Sequence, residues 1–184
     1  MIVDEVTHRA ITLRRRLHRQ PELSGRERRT AERIARFFAP LRPDLVVRGL
    51  GGHGLAVVFT GPEPGPTVLL RCELDALPIH EVSAAGHSSA VDGCAHACGH
   101  DGHMAILAAV GEGLARTRPR RGRAVLLFQP AEETGAGAAA VLADPRCPDL
   151  APNLVFALHN LPGFPYGRIV VRPAASSRGS TRRM

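Results

Sequence analysis

The stretch Thr67-Val-Leu-Leu-Arg-Cys-Glu-Leu74 is a mostly apolar run that ends against an acidic residue, Asp75. A Gly- and Pro-rich segment, 61–66, precedes it and reads as a turn, so the run reads as a strand. The same pattern recurs outward in both directions. Upstream lie the short apolar runs 45–48 and Gly54-Leu-Ala-Val-Val-Phe59. Downstream lie Ala124 to Gln129, after a basic turn at 119–123, then Asn153 to His159, and a last strand over Gly167 to Arg172. Between these runs the periodicity changes to that of helices. Val3, Val6, Ala10, Leu13 and Leu17 line one face of a helix over 3–19. Ser24 with Glu27 reads as a capping box before a helix carrying Ala31, Ile34, Ala35 and Phe38. Met104, Leu107, Ala108 and Leu114 mark a helix over 101–116, after a polar loop at about 80–99, and an Ala-rich helix covers 136–143. Strands alternating with helices predict an α/β fold with a mostly parallel sheet flanked by helices.

The chain has 184 residues, which suits one domain with a real core. Apolar residues make up 44%, but there are only six Phe, one Tyr and no Trp, so the core rests on Leu, Val, Ile and Ala. The net charge is +7, and all 24 basic residues are Arg. They are scattered through amphipathic helices with no basic run interleaved with aromatics, which argues against a nucleic-acid interface. No apolar run approaches the ~18 residues of a membrane span. The N-terminus has no apolar signal region, so a cytoplasmic protein with reduced Cys72, Cys94, Cys98 and Cys147 is expected.

Ligands of open parallel sheets bind beyond the carboxyl ends of the strands. Four groups of chemistry-bearing residues meet that rule. Asp75 follows the strand at 67–74, Glu132 and Glu133 follow the strand at 124–129, and His159 ends the strand at 153–159. The fourth group lies in His96-Ala-Cys-Gly-His-Asp-Gly-His103, at the start of a helix. Cys98 and His100 are separated by one glycine, which lets both face one ion. A thiolate and a neutral imidazole suit zinc and its neighbours in the first transition row. Adjacent glutamates on an irregular segment can point apart, so one can bind metal while the other takes a proton from water. Asp75 can orient a ligand from behind. Each piece has a plainer reading by itself: a glycine-rich turn, a solvated acidic pair, a strand-end cap, a satisfied buried histidine. His8, His18, His53, His80 and His87 carry no partner signal and read as surface groups; Cys72 reads as core.

Taken together the motifs resemble the M20 metallopeptidase superfamily, in its amidohydrolase branch. The matching segments are Leu17-His-Arg-Gln-Pro-Glu-Leu23, Arg71-Cys-Glu-Leu-Asp-Ala-Leu-Pro-Ile79, His96 to His103, Pro130-Ala-Glu-Glu133 and Leu158-His-Asn160. The resemblance implies that Cys98, His100, Glu133 and His159 are metal ligands. It implies that Glu132 is the general base and that Asp75 is the acidic residue behind the ligands. It implies a pair of divalent ions (Mn²⁺, Zn²⁺ or Ni²⁺) and hydrolysis of the amide of an N-acyl amino acid, by water attack on a carbonyl polarised by metal. A full-length homo-oligomer is also implied. Glu73 stands where the family usually has Asp, a change expected to be tolerated. On this resemblance residues 1–172 form the N-terminal portion of the catalytic domain, and the tail 173–184 reads either as a frayed end or as the start of a lid or dimerisation domain. A chain that stops there lacks a further ligand histidine, so an inactive metal-binding fragment is the competing expectation.

Overall fold

The computed structural model describes residues 2–165 and 167–171. In chain order the elements are α1 (Ile2–Arg19), α2 (Arg28–Phe38), β1 (Leu45–Leu50), β2 (Gly54–Thr60) and β3 (Glu63–Glu73), followed by α3 (His100–Arg116), β4 (Arg121–Gln129), α4 (Gly137–Ala143) and β5 (Leu154–Ala157). The five strands form one sheet in the order β1-β2-β4-β3-β5. β3 pairs in parallel with β4 and with β5, while β2 is antiparallel to both β1 and β4. Four strands therefore run the same way and β2 alone is reversed. The expected α/β class is met.

Period-2 patterning splits the core between the two faces of the sheet. Leu55, Val57 and Phe59 of β2 point to one face, where Leu13 and Leu17 of α1, Ile34 and Phe38 of α2, and Met104 and Leu107 of α3 cover them. Ala56 and Val58 point to the other face, against Val125, Val141 of α4 and Leu150. Phe38 sits between Phe59 and Phe128, with ring centroids 6.4 and 5.8 Å away. Burying side chains of this size contributes about 1.5–3 kcal/mol each. α3 can lie this close because Gly111 has no side chain; a Cβ there would fall 2.2 Å from the Phe38 ring.

Several local expectations change. The segment read as a turn at 61–66 joins β3 from Glu63 onward, with an irregular register between Glu63 and Thr67. Residues 167–171 form no strand, and Arg172 and the tail 173–184 lie outside the described residues. The capping box does not form. Glu27 makes no side-chain cap to α2. Instead the Glu22 carboxylate accepts the Thr30 N–H at 2.6 Å, with the Thr30 hydroxyl donating at 2.8 Å. β5 is an edge strand, and all four of its residues are exposed. Among the described residues, no helix is long and apolar enough to cross a membrane.

Candidate metal centre

The carboxyl ends of β3, β4 and β5 and the N-terminus of α3 converge. Cys98 and His100 flank Gly99, which caps α3 with φ +95°, in the left-handed region where glycine is at ease. Donor atoms of Cys98, His100 and His159 all lie within 4.8 Å of one another, as do those of His100, Glu132 and Glu133. His100 is shared by both groups.

The two imidazoles are prepared for the same task. His100 donates its Nδ1–H to the Asp75 carbonyl at 2.8 Å. Its buried Nε2 then keeps a lone pair with no hydrogen-bond partner, 3.7 Å from Glu132 Oε2 and 3.8 Å from Glu133 Oε1. His159 donates Nδ1–H to the Asn160 carbonyl at 2.7 Å, so its Nε2 faces Cys98 Sγ at 3.4 Å. Fixing one ring nitrogen in this way presents the other to a metal. Glu133 Oε1 is likewise buried without a partner.

The electrostatics fit a cation. Burial, followed by Glu133 and Glu132, pushes the Cys98 thiol up to about 11. Burial opposes a charged His100, but its bonds to Asp75 outweigh that and raise its pKa. Burial works against a charged Asp75 too. Hydrogen bonds with His100, Ser24 and the Glu133 amide prevail and hold its carboxyl well below the usual range.

Asp75 Oδ2 accepts the Ser24 hydroxyl at 2.7 Å and the Glu133 N–H at 2.9 Å. Asp75 thus ties the His100 side of the site to the glutamate segment. Glu27, fully buried, accepts the Ala131 N–H at 2.7 Å and so holds that residue in its unusual φ of +49°. Ser24 and Glu27, read locally as a helix cap, instead brace the segment that carries Glu132 and Glu133. His18 also departs from its expected place at the surface. Its side chain is 13% exposed, with Nδ1 2.9 Å from Asp101 Oδ2 and Nε2 3.1 Å from Glu81 Oε1. Asp101 therefore turns toward α1, where Arg14 also binds it at 3.0 Å.

A third group with ligand-like spacing, Glu73, His100 and His103, is fully buried. His103 has both ring nitrogens engaged: Nδ1–H donates to Glu73 Oε2 at 2.8 Å, and Nε2 lies 2.6 Å from Asn160 Oδ1. Residues 69–174 match the family model for peptidase family M20/M25/M40. The chain belongs to this family. Among its M20 relatives, N-acetylcysteine deacetylase of Bacillus subtilis (strain 168) is 36% identical over 173 residues, which is 93% of this chain and 45% of that protein. N-acetyldiaminopimelate deacetylase of Listeria innocua is 32% identical over 163 residues, 89% of this chain and 44% of that protein. The crystal structure of the Bacillus subtilis YXEP protein, a dinuclear metal-binding M20 peptidase, superposes with a TM-score of 0.81 at 35% identity. The match covers 88% of this chain and 45% of YXEP. The chain thus spans less than half the length of the relatives it matches.

Proposed function

We propose that this chain carries the metal-binding part of an amidohydrolase that cleaves the amide bond of N-acyl amino acids. In this reading Cys98, His100, Glu133 and His159 hold a pair of divalent ions of the Mn²⁺, Zn²⁺ or Ni²⁺ kind. Glu132 is the general base, and Asp75 orients His100. The observation that carries the reading is the buried, unpartnered Nε2 of His100, which faces two carboxylates beside a thiol and a second imidazole. A lone pair buried in that company is costly unless a cation meets it. The deacetylase relatives act on N-acyl amino acids, and this suggests the substrate class.

Divalent ions in such a site supply positive charge that polarises a carbonyl and acidifies a nearby water. The protein's groups do the remaining work. Asp75 keeps the His100 lone pair turned inward and anchors the Glu133 amide. Glu133, with a side chain 19% exposed, is the deeper of the two glutamates; Glu132, at 37%, is the one open to an incoming substrate. The Glu132 carboxylate takes a proton from water as the water oxygen bonds to the acyl carbon. It then returns that proton to the amine nitrogen as the carbon–nitrogen bond breaks.

The test is metal content together with hydrolysis of N-acetyl amino acids, for the parent chain, Cys98→Ala and Glu132→Gln. Metal should be taken up by the parent and lost in Cys98→Ala. Glu132→Gln should keep its metal and lose about 10²–10⁴-fold in rate. A parent chain that takes up no metal, or a Glu132→Gln variant with full activity, would overturn the reading.

A further inference from the structure

His159 stands on the least supported part of the site. It follows β5, whose residues are all exposed, and is itself exposed. A ligand in such a place is useful only if something fixes its direction. Asn160 makes contacts on three sides that can do so. Its carbonyl accepts the His159 Nδ1–H at 2.7 Å, which points Nε2 at Cys98. Its Oδ1 lies 2.6 Å, and its backbone nitrogen 3.2 Å, from His103 Nε2. Its side-chain amide also rests on Gly99, the residue between Cys98 and His100. A Cβ at Gly99 would fall 2.5 Å from Asn160 Oδ1. Asn160 is therefore wedged against the very turn that presents the other two donors.

The wedge is anchored deep in the fold. His103 donates Nδ1–H to Glu73 Oε2 at 2.8 Å, and both residues are buried. Arg71 bonds the other Glu73 oxygen, and its Nε donates to Gln129 Oε1 at 3.0 Å. Glu73 and Gln129 are register partners at the ends of β3 and β4. A chain of polar contacts thus runs from the rigid end of the sheet, through one turn of α3, to the segment bearing His159. Outer partners of this kind orient ligands and tune affinity.

We infer that Asn160, braced by His103 and Glu73, is the positioning residue that aims His159 at Cys98 and His100 and so sets the affinity of the site for a divalent cation. This rests on the metal-site reading above. His103 acts here as a brace and not as a ligand, because both of its nitrogens are already engaged.

Cobalt(II) titration of the intact chain tests this, with Asn160→Ala, Asn160→Asp, His159→Ala and the Asn160→Ala/His159→Ala double variant. Asn160→Ala should weaken cobalt binding about 10–100-fold. It should keep the Cys98-dependent sulfur-to-cobalt absorption and the melting curve of the cobalt-free chain. Asn160→Asp, which keeps a side chain of the same shape against Gly99 and His103, should recover most of the affinity. In the His159→Ala background, Asn160→Ala should cost nothing further, because its effect travels through His159. A parent that binds cobalt while Asn160→Ala binds it equally well overturns the inference alone. The same holds if the loss is as large without His159, or if the melting curves of both Asn160 variants collapse. A parent that binds no cobalt overturns the metal-site reading itself, and this inference falls with it.

Discussion

His100 and His159 face the same small space from opposite kinds of support. His100 opens α3, is fully buried, and leans on the Asp75 backbone at the end of β3. His159 hangs beyond an exposed edge strand and owes its direction to Asn160. On the first side, the hydrophobic core that stabilises the fold also places the donor. On the second side little is buried, so the donor's geometry rests on polar contacts that add little to stability. Stability and site geometry are coupled in one half of the site and nearly separate in the other.

The largest effect that could break this comparison lies in the sheet. Phe128→Ala, in the fully buried aromatic cluster, should cost about 3–5 kcal/mol, read as a shifted denaturation midpoint. Phe156→Ala on half-exposed β5 should cost well under that; equal losses would abolish the distinction. Next come the histidines themselves. His100→Ala should weaken cation binding by more than the ~100-fold ceiling typical of outer partners. His159→Ala should do less, as measured by cobalt titration, and the reverse order would invert the comparison. Glu27→Ala strands the Gly25 and Ala131 amides and should cost about 1–3 kcal/mol in chemical denaturation.

The smallest effect concerns His18. It faces Asp101 and Glu81, with Arg14 on the same Asp101 and the rings of His87 and His96 nearby. Burial opposes its charge, but the bonds to Glu81 and Asp101 outweigh burial and raise its pKa. A raised folded value means that the stabilisation is complete below the unfolded value of about 6.5 and fades as pH rises through the folded one. His18→Gln should remove that slope from a stability–pH curve, and an unchanged slope would place its origin elsewhere.

The strands and helices were legible in the sequence because each writes its own period into nearby residues. Leu55, Val57 and Phe59 against Ala56 and Val58 is such a record. The reversed direction of β2 was not legible, since alternation carries no sense of direction. Glu132, Glu133 and His159 could be picked out because strand ends gather there, and Cys98 and His100 because they flank a glycine at the start of a helix; the structure does bring their donor atoms together, in two groups that share His100. Ser24 and Glu27 misled because their spacing fits a helix cap, while Ser24 binds Asp75, 51 residues away, and Glu27 adds to the nearby Gly25 amide that of Ala131, 104 residues away. His18 and Asn160 failed to stand out for the same reason, their partners being Asp101 and His103. His103 closed the His96–His103 run, and its spacing three residues after His100 puts both on one helical face, but neither pointed to Asn160.

Those separations have a consequence for how the molecule comes into being. Ser24 to Asp75, His103 to Asn160, Glu133 to Asp75 and Ala131 to Glu27 close loops of 51, 57, 58 and 104 residues. Closures of this length follow local helix formation, because the chain must lose much freedom before they return any bond. In a refolding experiment, helical circular dichroism should therefore rise before the capacity to take up cobalt. The site acts as a late witness, telling a finished molecule from one that has merely collapsed.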